Sequence, residues 1–173
     1  EDAEDDPEQS RRDLDELSPS LSGDDFVVGI TASGTTPYVV GGLEHARSLG
    51  AATCLIACNP VSCEAAQVFI LLDTGPEVLP GSTRLKAGTA TKLVLNQITT
   101  GAMARCGHIY EGYMVGVKAV NVKLRERTIR ITSELLKVSR EAAESILDEA
   151  KGDIKVGVLM HRRGVLVEVA VSR

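Results

Sequence analysis

Three short apolar runs stand out in the first half of the chain, and each ends in a polar or glycine-containing turn. The runs are residues 26–30, 52–57 and 68–72. Short runs of aliphatic and β-branched residues, separated by helix-length segments, are typical of parallel strands that are buried on both faces. The pattern predicts an α/β fold built on a doubly wound parallel sheet.

Helix signals follow the first run and dominate the second half of the chain. Pro37 suits the first position of a helix, Thr36 is a candidate N-cap, and Gly50 stands where that helix would end. Farther along, apolar residues recur at spacings of three, four and seven over residues 109–135. This periodicity predicts one long amphipathic helix with a buried stripe.

The last part of the chain has a different pattern. Ser139 is a candidate cap for a helix over residues 140–150, and Asp153 is a candidate cap for another helix that starts at Ile154. Every second residue from Val165 to Val171 is a valine, which is the period of a strand. We therefore interpret residues 138–173 as a small helical appendix followed by a tail.

Charge is distributed unevenly along the chain. Residues 1–25 contain eleven acidic residues but only Arg11 and Arg12 as bases, and we interpret this segment as an acidic lead-in outside the core. Residues 26–173 contain 13 acidic and 17 basic residues, so the body is mildly basic and suits a small anionic ligand. The expected division is a lead-in of residues 1–25, an α/β domain of residues 26–137 and the appendix.

Composition argues against two classes of partner. The sequence has no run of about 18 apolar residues, and its beginning is acidic where a secretory signal would be basic and then apolar. Tryptophan is absent, aromatic residues make up 3%, and the net charge is −5, which argues against nucleic acid as a partner. We expect a cytoplasmic protein that binds neither membranes nor nucleic acid.

The four cysteines do not have the spacing of a metal site. No CxxC pair is present, and no histidine falls near the cluster formed by Cys54, Cys58 and Cys63. We predict no metal site and interpret the cysteines, Cys106 included, as reduced thiols that pack as small apolar residues.

A loop rich in hydroxyl groups follows the first predicted strand and precedes the helix at Pro37. It contains Thr31, Ser33, Gly34 and Thr36. Ligands bind at the carboxyl ends of parallel strands, and a helix N-terminus offers unpaired backbone N–H groups to an anion. The loop is therefore a candidate phosphate site, although plain helix capping by these hydroxyls is the alternative.

A second loop of this kind follows the third predicted strand. Ser82 or Thr83 is expected to cap a helix whose first turns are basic, an arrangement that opposes the helix dipole unless an anion or a carboxylate such as Glu77 compensates. A basic face in contact with solvent is the alternative. The candidate ligand contacts in this segment are Glu77, Ser82, Thr83, Arg84, Lys86 and Lys92.

Three segments together resemble a known family. Residues 29–39 (GITASGTTPYV), 77–92 (EVLPGSTRLKAGTATK) and 96–124 (NQITTGAMARCGHIYEGYMVGVKAVNVKL) are similar to those of the N-acetylmuramic acid 6-phosphate etherases. That family shares the sugar-isomerase (SIS) domain with the glucokinase regulatory protein. The match extends over about residues 1–135 and is loosest over 6–24. The resemblance implies an SIS-type phosphosugar-binding domain and a homodimer.

The resemblance also implies a reaction. Family members remove the D-lactyl ether of N-acetylmuramic acid 6-phosphate by elimination and hydration, which gives N-acetylglucosamine 6-phosphate and D-lactate. One glutamate abstracts the C2 proton, another assists the leaving lactate and the water, and no metal or organic cofactor is needed. Glu4 matches one of these glutamates. The resemblance places the other glutamate, the first strand and a first phosphate loop upstream of Glu1, so we expect this chain by itself to carry half a site.

The sequence departs from the family at two positions of the first loop. Thr35 stands where the family usually has arginine, and Thr31 where it has alanine, a change that adds a hydroxyl group. Two other functions therefore stay open. One is a phosphosugar-binding regulatory protein without catalysis, and the other is an aldose–ketose isomerase, whose sequences lack the 77–92 signature.

Overall fold

The computed structural model describes residues 2–166. The chain divides into two compact units, residues 1–96 and residues 97–173. The three-part division expected from the sequence stays a prediction. Most of the alternating valines of the tail lie outside the described residues.

The first unit contains the predicted parallel sheet. Its elements are a 3₁₀ turn at Asp2–Asp5, α1 (Pro7–Asp15), β1 (Phe26–Thr31), α2 (Pro37–Ser48), β2 (Ala52–Ala57), β3 (Val68–Leu71) and the start of α3 (Lys86–Arg105). The strands lie in the order β1-β2-β3 and pair in parallel, with Val28 opposite Cys54 and Ile56 opposite Ile70. The α/β fold is thus confirmed and is consistent with the SIS type.

The core of this unit lies between the sheet and α2. Leu43 of α2 packs with Leu55 and Ala57 of β2, and all three are almost completely buried. Residues 58–67, which connect β2 to β3, form a loop. Thr53 ties this loop to the sheet because its hydroxyl donates to the Ala65 carbonyl at 2.6 Å.

The acidic lead-in contains α1 and contacts the rest of its unit, and its assignment as a separate segment stays a prediction. Helix α1 packs against α2, with Ser10 2% exposed in the contact. A Cβ atom at Gly41 would lie 2.7 Å from Pro7 Cβ and 2.9 Å from the Pro7 carbonyl oxygen. Only glycine at this position lets the two backbones approach so closely.

Polar contacts at the rim add to this helix–helix contact. The Tyr38 hydroxyl donates to Asp13 Oδ2 at 2.7 Å, and His45 Nε2 lies 2.6 Å from Asp15 Oδ1. Most of the acidic residues in 1–25 face solvent, and this is why the composition of the segment suggested that it is solvated. The contact with α2 depends on the few residues of the segment that are buried or half-buried, such as Ser10.

The second unit is helical and has its own core. Its elements after α3 are β4 (Ile109–Tyr110), β5 (Tyr113–Met114), α4 (Val122–Leu136), α5 (Arg140–Glu149) and α6 (Ile154–Arg163). Ile129, Leu135, Leu147, Ile154 and Val158 of the three helices meet in one buried cluster. The caps predicted at Ser139 and Asp153 are confirmed, because both side chains accept hydrogen bonds from the first turn.

The single long helix predicted over residues 109–135 was wrong. Its first part is a β-hairpin whose turn residues, Glu111 and Gly112, both have positive φ, as two-residue hairpin turns require. The helix itself begins only after Asn121, whose side chain accepts from Leu124 N–H at 2.9 Å. The apolar residues on both sides of this break reach one core, so their spacing continued across it by coincidence.

Among the described residues, no helix has both the length and the apolar character that crossing a bilayer requires.

We predict that Gly41→Ala destabilises the chain by about 1–2 kcal/mol. Overpacking against the Pro7 backbone costs about 1–3 kcal/mol, and the better helix propensity of alanine offsets up to about 1 kcal/mol. Gly42→Ala is the matched control, since its Cβ would meet Ser10 Cβ at an ordinary 3.5 Å. Urea unfolding measures both. A Gly41→Ala variant as stable as Gly42→Ala would contradict the close contact.

Candidate functional site

An open cavity of about 540 Å³ lies at the carboxyl end of β1. It is lined by Ala3, Glu4, Ile30, Thr31, Ala32, Ser33, Thr36, Tyr38, Val39 and Thr83. These residues come from the 3₁₀ turn, the end of β1, the β1–α2 loop, the first turn of α2 and the loop before α3. All belong to the first unit.

Three hydroxyl groups cluster on one side of this cavity. The Thr31 hydroxyl oxygen lies 2.7 Å from that of Thr36 and 3.1 Å from that of Ser33, and the last two are 3.5 Å apart. A hydroxyl group both donates and accepts, so each of the three can turn its proton toward an incoming anion. The cluster can therefore contact several oxygens of one phosphate without adding charge.

Gly34 shapes the loop that carries the cluster. Its φ is +85°, and a Cβ atom there would lie 2.6 Å from Val61 Cγ2. The loop is also tied to the end of β2, since Cys58 N–H and the Asn59 side-chain amide donate to the Ala32 carbonyl at 3.1 and 3.0 Å. Gly34 does not line the cavity, but it supports the residues that do.

The N-terminus of α2 opens toward the same cavity. Thr36 is the N-cap residue and Pro37 the first helical residue, as predicted, but the Thr36 side chain makes no capping hydrogen bond. Its hydroxyl contacts Thr31 instead. The first bond within the helix runs from Val40 N–H to the Thr36 carbonyl at 3.0 Å, so the Tyr38 and Val39 amides precede it.

Glu4 also lines this cavity, from the 3₁₀ turn just before α1. Its side chain is exposed. The contact of Pro7 with Gly41, three residues farther along, brings this turn to the mouth of α2. Glu4 and the hydroxyl cluster thus line one cavity, and the catalytic role of Glu4 stays a prediction.

After the second predicted loop, the helix begins later than the sequence predicted. Helix α3 begins at Lys86, so neither Ser82 nor Thr83 caps it. The cap is the Glu77 carboxylate, which accepts from Lys86 N–H at 3.0 Å and from Ala87 N–H at 2.9 Å. Of the two compensating groups considered from the sequence, an anion or a carboxylate, the chain itself supplies the carboxylate.

Two side chains at this helix start, Glu77 and Cys58, have shifted pKa values. The Ala87 and then the Lys86 N–H groups lower the pKa of Glu77. Burial raises the pKa of the Cys58 thiol, and the nearby Glu77 charge raises it further. Because both Glu77 oxygens are occupied, this helix start is already satisfied by the chain itself.

The predicted site residues thus fall into two groups. Glu4, Thr31, Ser33, Thr36 and Thr83 share the cavity, whereas Glu77, Ser82, Arg84, Lys86 and Lys92 do not line it. The role of every one of them in binding stays a prediction.

Sequence reasoning missed Tyr38. Its ring lines the cavity, and its hydroxyl is held by Asp13, a hydrogen bond that raises the pKa of Tyr38. The sequence could have indicated Tyr38, because it lies in the first turn of the helix that follows the hydroxyl-rich loop.

The cysteines lie apart from this cavity. Within residues 2–166, which include all four, Cys54 is buried, Cys58 and Cys63 are half-buried, Cys106 is exposed, and none forms a disulfide. The interpretation as packed apolar residues fits Cys54 and is wrong for Cys106. The described residues contain no group of three His, Cys, Asp or Glu side chains placed to bind a metal ion.

Comparison with known proteins supports the resemblance. The chain is 48% identical over 173 residues to a protein of Cronobacter sakazakii, 46% over 171 residues to one of Rhodopirellula baltica, and 50% over 170 residues to one of Yersinia pestis strain Pestoides F. All three are named N-acetylmuramic acid 6-phosphate etherase. These alignments cover 97–99% of this chain and 56–58% of the relatives, so the chain spans a little over half their length. No family model matches the chain.

We predict that the Glu77 cap stabilises the chain in a pH-dependent way. A carboxylate with a lowered pKa stabilises the fold above its ordinary value of 4.5, and that contribution is lost as the pH falls through the folded-state pKa. Thermal unfolding should therefore show Glu77→Gln less stable than the unaltered chain at pH 7, with the difference shrinking as the pH falls below 4.5.

The matched control for this prediction is Glu64→Gln. Glu64 is exposed, and Arg47 contacts its backbone carbonyl, not its carboxylate. A difference for Glu77→Gln that is the same at every pH, or equal to that of the control, would show that the capping charge contributes nothing.

Proposed function

We propose that this chain, which is similar over nearly its whole length to N-acetylmuramic acid 6-phosphate etherases, forms part of such an enzyme. The full-length protein would cleave the D-lactyl ether to give N-acetylglucosamine 6-phosphate and D-lactate, a step in recycling cell-wall amino sugar. The observation that carries the proposal is the cavity that Glu4 and the hydroxyl cluster both line.

The hydroxyl cluster would hold the 6-phosphate. Thr31, Ser33 and Thr36 offer three neutral donors within 3.5 Å of one another, and the N-terminus of α2 adds a positive dipole end. Hydrogen bonds to a charged group contribute about 1.5–3 kcal/mol each. Two such bonds would orient the phosphate and hence the sugar above it.

Glu4 would act as one of the acid–base groups. Elimination removes the C2 proton and expels lactate from C3, and addition of water to the resulting double bond restores the C3 hydroxyl group. A base is needed for the proton and an acid for the leaving oxygen, so two carboxylates suit the reaction. We propose that the second glutamate lies in a part of the full-length enzyme outside this chain.

The names of the relatives favour the etherase over the two alternatives. A regulatory protein would need the phosphate site but no acid–base group. An aldose–ketose isomerase would also abstract the C2 proton, but its sequences lack the 77–92 signature that this chain has. Glu4 at the cavity is what a lyase requires beyond phosphate binding.

We predict that two sets of variants in the full-length protein separate binding from turnover. Glu4→Gln keeps the shape of the side chain but cannot exchange protons, so lactate release should fall by about 10² to 10⁴ while affinity for N-acetylglucosamine 6-phosphate survives. Ser33→Ala with Thr36→Ala should weaken that affinity by about tenfold or more for each bond lost.

Isothermal calorimetry measures the affinity, and a coupled D-lactate assay measures turnover. Thr35→Ala is the control for the loop, because Thr35 contacts Ser33 at 3.4 Å but does not line the cavity. Near-normal lactate release by Glu4→Gln would remove Glu4 from catalysis. Unchanged affinity of the double variant would remove the hydroxyl cluster from the phosphate site.

We further propose that the full-length enzyme is a cytoplasmic homodimer. Both outer strands of the described sheet, β1 and β3, carry exposed apolar side chains, since Phe26 is 56% and Val68 45% exposed. The buried apolar residues of α4 add nothing to this proposal, because Ile129, Ile131 and Leu135 pack in the core of their own unit. Sedimentation of the full-length protein at micromolar concentration should give the mass of a dimer. A monomeric mass would contradict the proposed homodimer.

A further inference from the structure

A second cavity, of about 440 Å³, lies within the helical unit between the β4–β5 hairpin and α6. Its floor is apolar. Val115 and Val158 are 2% and 7% exposed, and Ile109 and Leu159 are half-buried beside them. This volume falls within the range of about 300–1,000 Å³ that is usual for small-molecule sites.

The rim of this cavity is basic. Lys155, Arg162 and Arg163 of α6 all line it, and none of the lining residues is acidic. Within residues 2–166, neither Lys155 nor Arg163 forms an ion pair. Both side chains are exposed, so their charges are available at the mouth of an apolar cavity.

Arg162 has a different role, because it holds the two walls together. Its guanidinium donates to both Glu111 carboxylate oxygens at 2.8 and 3.2 Å, to the Tyr110 hydroxyl at 2.6 Å and to the Leu135 carbonyl at 3.2 Å. Its Cζ atom also lies 5.3 Å from the centre of the Tyr110 ring. The hairpin is thereby fixed against α6, and the cavity is formed before any ligand arrives.

We propose that this cavity binds a small organic anion with an apolar body, a carboxylate or sulfonate whose hydrocarbon part lies on the valine floor. The charged group would lie between Lys155 and Arg163, since Glu111 already neutralises Arg162. Burial of the apolar part supplies most of the affinity, and the two cations select anions over neutral molecules of the same shape. This site is separate from the cavity at Glu4 and does not depend on the proposed function.

The test uses the whole chain and the fluorescent probe 1-anilinonaphthalene-8-sulfonate. Lys155→Ala combined with Arg163→Ala should weaken saturable probe binding by about tenfold. The matched control is Lys123→Ala with Arg127→Ala, which removes two exposed cations of α4 in the same unit and should change binding by less than twofold. Decanoate should displace the probe from the unaltered chain at lower concentration than decanol.

Amide chemical shifts in ¹⁵N spectra locate the site independently. Probe binding should move the signals of Gly107, Val158 and Leu159. Equal weakening by both double variants would show attraction by net charge alone and overturn the proposal. Unaltered binding by the Lys155/Arg163 variant, displacement by decanol as effective as by decanoate, or shifts confined to residues 2–96 would each overturn it as well.

Discussion

The close contact between Pro7 and Gly41 is the constraint on which the candidate site depends. A side chain at position 41 would press on the Pro7 backbone and weaken the contact of α1 with α2, which brings the turn that carries Glu4 to the hydroxyl loop. The surface ion pairs between these helices, such as Arg11 with Glu44 at 3.5 Å, are exposed and add little. Packing therefore positions the acid, although most of the segment's residues are polar.

The two strand-to-helix loops show how similar sequence signals can have different consequences. At α3 the chain supplies its own anion, because Glu77 occupies the first two amides of the helix. At α2 the N-cap hydroxyl of Thr36 is engaged with Thr31, and the helix start has no side-chain cap. The second arrangement gives up capping stability and leaves dipole, amides and hydroxyls facing a cavity, which is the property expected of an anion site.

The helical unit combines a buried core with several polar contacts between its elements, and those of Arg162 reach the hairpin. Arg162 joins α6 to the hairpin through Glu111 and Tyr110 and to α4 through the Leu135 carbonyl. Glu111 has a positive φ, an uncommon conformation for a residue other than glycine, asparagine or aspartate. The bidentate ion pair between Arg162 and Glu111 helps to hold this strained turn. The same ion pair holds the hairpin in place as a wall of the second cavity.

Local sequence determined the three strands, the start of α2 at Pro37, the caps at Ser139 and Asp153, and the hydroxyl-rich loop, because these depend on residues a few positions apart. Tertiary structure decided which of these features meet. Glu4 reaches the loop only through the packing of α1, and Glu77 caps a helix nine residues away. The hairpin at residues 109–114 interrupts a periodicity that would otherwise continue. Spacing along a sequence cannot distinguish such arrangements, since apolar residues of a hairpin and of a helix can enter the same core, and contacts between distant residues depend on the folded chain as a whole.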